Sequence, residues 1–317
     1  MQEKKKIVTV FTLKWLKLAI SLAGIVYILH KIPLLDALSN WGPTTLPWLL
    51  LVFLLTVVLM AIQANRWRGL LLDEGKRIRF RTFYAYIALG YFFNNLLPSG
   101  FGGDAVKTIA FGKRFGNTEA SVAAIAVSRI MGLLAMFLSF FAAFPFVAAS
   151  YRIPLAYTAT VSLAATVAIA VIVAGLFMDK IRIPARLASR FPFIKRLQLS
   201  FAVYRRHPRA FLLSGLDSVW LQFVTIIIHY AYFRAVGIDV GIAVITVFTT
   251  IMVTFTMLPI SINGVGIREN VQVSLYTGIL GIPADVVLAS TLLSYLPLLF
   301  QAAQGGIVLL FLHHPKK

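Results

Sequence analysis

The sequence predicts an all-α, polytopic membrane protein, and three observations carry that reading. The 317 residues are 59% hydrophobic and only 13% charged. Soluble domains are roughly 45–50% apolar and about 25% charged. The mean hydropathy is +0.85. The apolar residues gather into runs close to the roughly 20 residues that an α-helix needs to cross a bilayer.

Full spans are expected at 12–30, 44–65, 118–150, 155–178, 210–236 and 285–312. The first follows Lys4, Lys5 and Lys6 and is interrupted by Lys14 and Lys17. No small-residue cleavage site follows it, so it reads as a retained span and not a signal peptide. Two further apolar stretches, 82–97 and 240–258, are different. Each runs into Leu-Pro and a glycine-bearing polar segment, Leu97-Pro98-Ser99-Gly100-Phe101-Gly102-Gly103-Asp104 and Leu258-Pro259-Ile260-Ser261-Ile262-Asn263-Gly264-Val265-Gly266. Proline breaks a helix and glycine permits tight reversal. Short amphipathic helices are expected after the breaks, at 103–114 and 266–280. Each unit reads as a helix–break–helix hairpin that dips into the bilayer and returns.

Charge sets the expected orientation, because cytoplasmic loops collect Lys and Arg. Lys4, Lys5, Lys6, Lys14 and Lys17 place the N-terminus inside. Arg66, Arg68, Lys76, Arg77, Arg79 and Arg81 place the segment after the second span inside as well. The loop 179–209 carries nine bases, from Lys180 to Arg209, and Lys316 and Lys317 end the chain on the same side. The expected outer loops hold only Lys31, Arg152 and Arg234. Six crossings and two re-entrant hairpins satisfy this distribution. The hairpins would then enter from opposite sides, in inverted halves at 44–178 and 210–312, all within one transmembrane domain covering 1–317. Paired broken helices in inverted halves point to a transporter-like site near mid-membrane.

Thirty Lys and Arg against eleven Asp and Glu give a net charge of +19. With the bases lying between apolar spans, the expected partners are the membrane and its anionic phospholipids, not nucleic acid. There is no cysteine, which excludes disulfides and thiol chemistry. No zinc-protease motif, P-loop or nucleophile elbow appears, and residues 101–104 fail the Gly-x-Gly-Asp of intramembrane aspartyl proteases. No metal and no cofactor is expected.

In the first motif Gly100, Gly102 and Gly103 let backbone N–H groups point into a turn, and the next helix offers its positive N-terminus to an anion. Asp104 is expected to cap that helix. Lys107 lies three residues on, on the same face, and Asn94, Asn95 and Ser99 add neutral donors and acceptors. In the second motif Asn263, Gly264 and Gly266 form the break, and Arg268 and Glu269 open the next helix. Each group is either a head-group site or plain scaffold. Arg129, about 16 Å into its helix, either snorkels or lines a cavity. Ser121, Ser128, Gly132 and Ser139 share a face, as small residues do where helices pack closely. Ser218, Gln222, Thr225 and His229 form a helical stripe beside Asp217, for interhelical hydrogen bonds or for a polar path.

The segment from Asn94 to Lys107 resembles the signature of the lysylphosphatidylglycerol synthase transmembrane, or flippase-like, family. Ser128-Arg129 resembles its next block and Pro259 to Glu269 its late one. Ser128 stands where Glu is frequent, and Lys107 where Arg is usual. The resemblance implies a lipid flippase or translocator in the cell (inner or plasma) membrane, acting on an anionic phospholipid or lipid-linked head group. No soluble synthase domain is expected after residue 312, so aminoacyl transfer is not implied. A membrane-embedded transferase, or an accessory subunit acting on lipid- or polyprenyl-linked substrates, is the alternative. A homo-oligomer or a partner membrane enzyme stays open.

Overall fold

The computed structural model describes residues 32–96, 102–116, 118–176, 206–258 and 261–312, with isolated positions at 22, 26–28, 30, 203 and 204. Most of the expected span at 12–30, most of the basic loop, and Pro98, Ser99, Gly100, Phe101 and Pro259 lie outside the described residues. Everything regular among the described residues is helical.

A short helix α1 (Leu34–Ser39) leads into α2 (Thr45–Leu70), then the turn α3 (Leu72–Arg77). The first broken unit is α4 (Phe80–Leu96) and α5 (Gly102–Phe115). Two long helices follow, α6 (Thr118–Ala148) and α7 (Leu155–Leu176). The second half begins with α8 (Pro208–Ala235). The second broken unit is α9 (Ile242–Met257) and α10, which opens at Ile267–Gln272 and passes through a π-turn at Val273–Thr277 to Leu280. The chain then forms α11 (Ala284–Leu293) and α12 (Tyr295–Leu312).

Four stretches are long and apolar enough to cross a membrane: α2, α6, α8 and the run Ala284–Phe311. Apolar stretches at Leu155–Val171 and Ile242–Met257 are shorter. The apolar surface of α2 shows why such helices suit lipid. Val52, Thr56, Met60, Ala64 and Trp67 form its buried stripe, while Leu46, Leu50, Leu54 and Val58 on the other side are exposed. A helix that is apolar all round needs an apolar solvent. The same holds for α8, where Leu212, Leu216, Val219 and Phe223 face outward.

Both broken units fold back on themselves. In the first, the side chain of Asn94 meets Gly103, Gly90 meets Lys107, and Phe83 meets Phe111 at 5.1 Å. The paired positions move apart symmetrically from the break, as in an antiparallel hairpin. In the second, Thr256 packs on Gly264 and Phe248 on Tyr276 at 5.0 Å. The bases of the two hairpins lie in separate cores along α6. The first core joins Trp67, Phe83 and Phe111 to Ala123, Ala124 and Val127 in the early part of α6. The other joins Phe248 and Tyr276 to Phe137 and Phe140, further along the same helix. A third core holds α2, α8 and α11 together through Val52, Ile228 and Leu288. The polar ends of the hairpins meet between the first two.

Candidate functional site

The site begins with the close approach of α4 and α5. A Cβ at position 103 would sit 1.9 Å from the Gly90 carbonyl oxygen, so only glycine allows the two backbones this near. The Gly103 N–H donates to Asn94 Oδ1 at 2.8 Å. Lys107, one turn on, lies across Gly90 and reaches Asp104, with Nζ 2.6 Å from Oδ1. Its ammonium also sits 5.8 Å from the centre of the Trp67 ring.

Asp104 is not the expected helix cap. The helix starts at Gly102, which puts Asp104 within the first turn. Its carboxylate turns sideways to two cations. Arg129 of α6 donates from Nε to Oδ2 at 2.6 Å, and its Nη2 lies 2.6 Å from the same oxygen. A desolvated carboxylate gains more from two charged donors than from backbone N–H groups. Arg129 therefore takes its acid from the first hairpin, and the serine beside it at 128 needs no charge. Its side chain stays 46% accessible because it faces a cavity, whereas Asp104 and Lys107 are below one-tenth.

The second hairpin supplies the opposite wall. Asn263 and Gly264 have φ of 51° and 75°, and Gly266 has 83°. This left-handed run turns the chain so that Asn263 Nδ2 donates to the backbone carbonyl of Asn94 at 2.9 Å. The tips of the two hairpins are thus in direct contact. Arg268 donates from Nη1 to Ser294 Oγ at 3.2 Å and lies 5.1 Å from the Tyr295 ring centre. Glu269 does not pair with Arg268. It accepts the Gly266 N–H at 2.7 Å, closing a capping box, and also accepts the Tyr295 hydroxyl. Asn95 donates to the carbonyls of Tyr91 at 3.1 Å and Leu298 at 3.2 Å, tying α4 to α12.

These groups surround a cavity of about 570 Å³. Of the expected site residues, Asn94, Asn95, Asp104, Lys107, Arg129, Asn263 and Arg268 line it. Gly102, Gly103, Gly264, Gly266 and Glu269 shape its walls without lining it. Ser99 and Gly100 lie outside the described residues.

Sequence reading missed Arg66. It was expected in a cytoplasmic segment after a span ending at 65. Instead α2 continues to Leu70, and Arg66 is buried against the cavity, with Nη1 donating to Ser218 Oγ at 2.8 Å. Gln63, one turn earlier, lines the same wall and donates to the Tyr91 hydroxyl at 2.8 Å. The spacing of Gln63 and Arg66 on one face of a helix was the available signal. The α8 stripe makes interhelical bonds: Ser218 to Arg66, and Gln222 Nε2 to Ser139 Oγ at 3.1 Å. His229 Nδ1 lies 2.9 Å from the Thr225 carbonyl oxygen of its own helix. Asp217 accepts from Asn65 at 3.2 Å, outside the cavity.

The cavity lining therefore carries four cationic side chains, Arg66, Lys107, Arg129 and Arg268, and one carboxylate, Asp104. Such a lining is net positive. Among the described residues no three of His, Asp and Glu gather as a metal ion would require.

A family model described as the lysylphosphatidylglycerol synthase TM region matches residues 14–302. Neither a curated protein nor a solved structure matches the chain. The match takes in both broken hairpins and the α6 arginine between them, and the chain belongs to the lysylphosphatidylglycerol synthase TM-region family.

Proposed function

We propose that the chain is a lipid translocator that holds an anionic phospholipid or lipid-linked head group in the cavity where the two hairpins meet. The observation that carries this reading is the cavity itself, lined by four basic side chains from four helices and placed at the contact of two broken helices. In this reading the hairpins enter the cell membrane from opposite faces, in inverted halves, with both termini in the cytoplasm. Six helices cross, and the basic loop 179–209 gathers anionic lipid at the cytoplasmic surface, at about 1 kcal/mol per base close to the membrane. The head group occupies the cavity while its tails stay in the bilayer, and rocking of one half against the other exposes the cavity to each leaflet in turn. Movement runs downhill or is coupled to a further gradient.

A transferase would need a general base within the cavity, and the acids near it are the candidates. The three candidates are each engaged: Asp104 with Lys107 and Arg129, Glu269 with Gly266 and Tyr295, and Asp217 with Asn65. That favours translocation over transfer.

The test is reconstitution into vesicles carrying labelled anionic and zwitterionic lipids, with bleaching of the outer leaflet. The protein is expected to make the inner pool of anionic lipid accessible. Lys107→Ala and Arg268→Ala are each expected to slow this by about tenfold or more, the effect of losing one charged contact. Rates equal to those of protein-free vesicles would remove the proposal.

A further inference from the structure

Two guanidinium groups in the cavity make no ion-pair contact with a carboxylate among the described residues. Arg66 is buried, its Nη1 bonds to a neutral serine, and its Nε has no hydrogen-bond partner. Arg268 bonds to Ser294 and rests against the Tyr295 ring. Lys107 and Arg129 share the single carboxylate of Asp104. Ser261, also buried and lining the cavity, has an unpartnered hydroxyl. Among the described residues the cavity lining thus carries three positive charges in excess of its one carboxylate, with an orphan N–H and an orphan O–H beside them. A desolvated charge without a partner costs several kcal/mol, and an occupant of opposite charge offsets it. A phosphodiester brings one negative charge and would offset only one of the three. A terminal phosphate brings two, with three oxygens for the fork-shaped donors that guanidinium groups present.

We propose that the cavity recognises a terminal phosphate, a phosphomonoester or diphosphate end group, in preference to a phosphodiester. This rests on the reading above that the cavity holds the head group of the transported lipid.

The experiment uses the purified full chain in detergent and follows its melting temperature during titration, at matched ionic strength, with phosphatidic acid, phosphatidylglycerol or sodium pyrophosphate. At pH 8 phosphatidic acid is expected to bind tighter than phosphatidylglycerol by about tenfold or more, the equivalent of one charged hydrogen bond. A phosphomonoester gains its second charge near pH 6 (about that of other phosphate monoesters), so the preference is expected to shrink at pH 5.5. Arg66→Gln is expected to abolish the preference, whereas Lys76→Ala, at an exposed pair with Asp73, keeps it. Should Arg66→Gln fail to fold, Arg268→Gln carries the same expectation. Pyrophosphate binding as tightly as phosphatidic acid would support the phosphate chemistry and identify the free ion as its source. Phosphatidylglycerol matching phosphatidic acid at pH 8 would overturn the proposal, as would a preference kept by a folded Arg66→Gln. Transport is not measured here, so a protein that moves no lipid but prefers phosphatidic acid would sink the translocator reading and leave this site standing.

Discussion

Gly264 is held to glycine by two separate constraints. Its φ is 75°, and a Cβ there would lie 2.7 Å from the Cβ of Thr256. Gly116 has a similar φ of 88° but open space around it. Gly116→Ala is therefore expected to cost about 1–2 kcal/mol, from backbone conformation alone. Gly264→Ala adds about 1–3 kcal/mol for the overlap. Melting of the two variants in detergent separates these contributions, and equal losses would show that the tip yields to the extra methyl. At Asp104 the stake is charge. Asp104→Asn leaves Lys107 and Arg129 without their shared counter-ion, and a loss of about 3–5 kcal/mol is expected in the same measurement. Residue identities in the two motifs were legible in advance because glycine, asparagine and lone charges have few uses in an apolar chain. The role of Asp104 was not, since a carboxylate near a helix start serves a cap and an ion pair equally well until a cation on another helix decides. Arg66 was misread for a related reason. A base at the end of an apolar run looks the same in sequence whether it turns to water or inward.

At the scale of elements, the second hairpin is fastened to α12 through Glu269. Its carboxylate joins the Gly266 N–H of the break to the Tyr295 hydroxyl, so one side chain fixes both the cap and the docking of the helix. Tyr295→Phe is expected to destabilise by about 1–3 kcal/mol, the cost of leaving a buried charged acceptor short of a donor. Hydrogen exchange at 264–272 is expected to rise, while exchange in α4 and α5 stays unchanged. A uniform rise would mean that Tyr295 supports the whole bundle and not this hairpin. The broken helices themselves could be read from Leu-Pro followed by glycine. The division of the last apolar run at Ser294 could not, although Pro297 lies close by. Proline is accepted in the first turn of a helix, where its missing N–H has no intrahelical use, so the residue alone does not say whether a helix bends, restarts or continues. The π-turn at Val273–Thr277 left no mark in the sequence pattern, because it is set by how Leu275 and Tyr276 pack into the core.

At the scale of the whole molecule, the four long apolar stretches were visible from composition, since burial in lipid requires apolar residues on every side of a helix. The pairing of helices was not, because contacts such as Gly305 against the Ala88 carbonyl depend on small residues that occur throughout the chain. The absence of cysteine makes the proposed orientation directly testable with single introduced thiols. With an impermeant maleimide added to intact cells, Ser39→Cys and Arg152→Cys are expected to react. Lys76→Cys and Lys113→Cys are expected to react only after permeabilisation. Reaction of Lys113→Cys from outside would mean that the first hairpin crosses the bilayer, and the inverted arrangement would be lost.

The anchoring of the two hairpins is uneven along their length. Their roots are wedged in aromatic cores, with Trp67, Phe83 and Phe111 in one and Phe140, Phe248 and Tyr276 in the other. Where they touch, an amide of Asn263 clasps the carbonyl of Asn94. A clasp of that kind is worth about 0.5–1.5 kcal/mol, not far above thermal agitation. The tips are thus held far more lightly than the roots, as in a pair of tongs with stiff handles and a light catch.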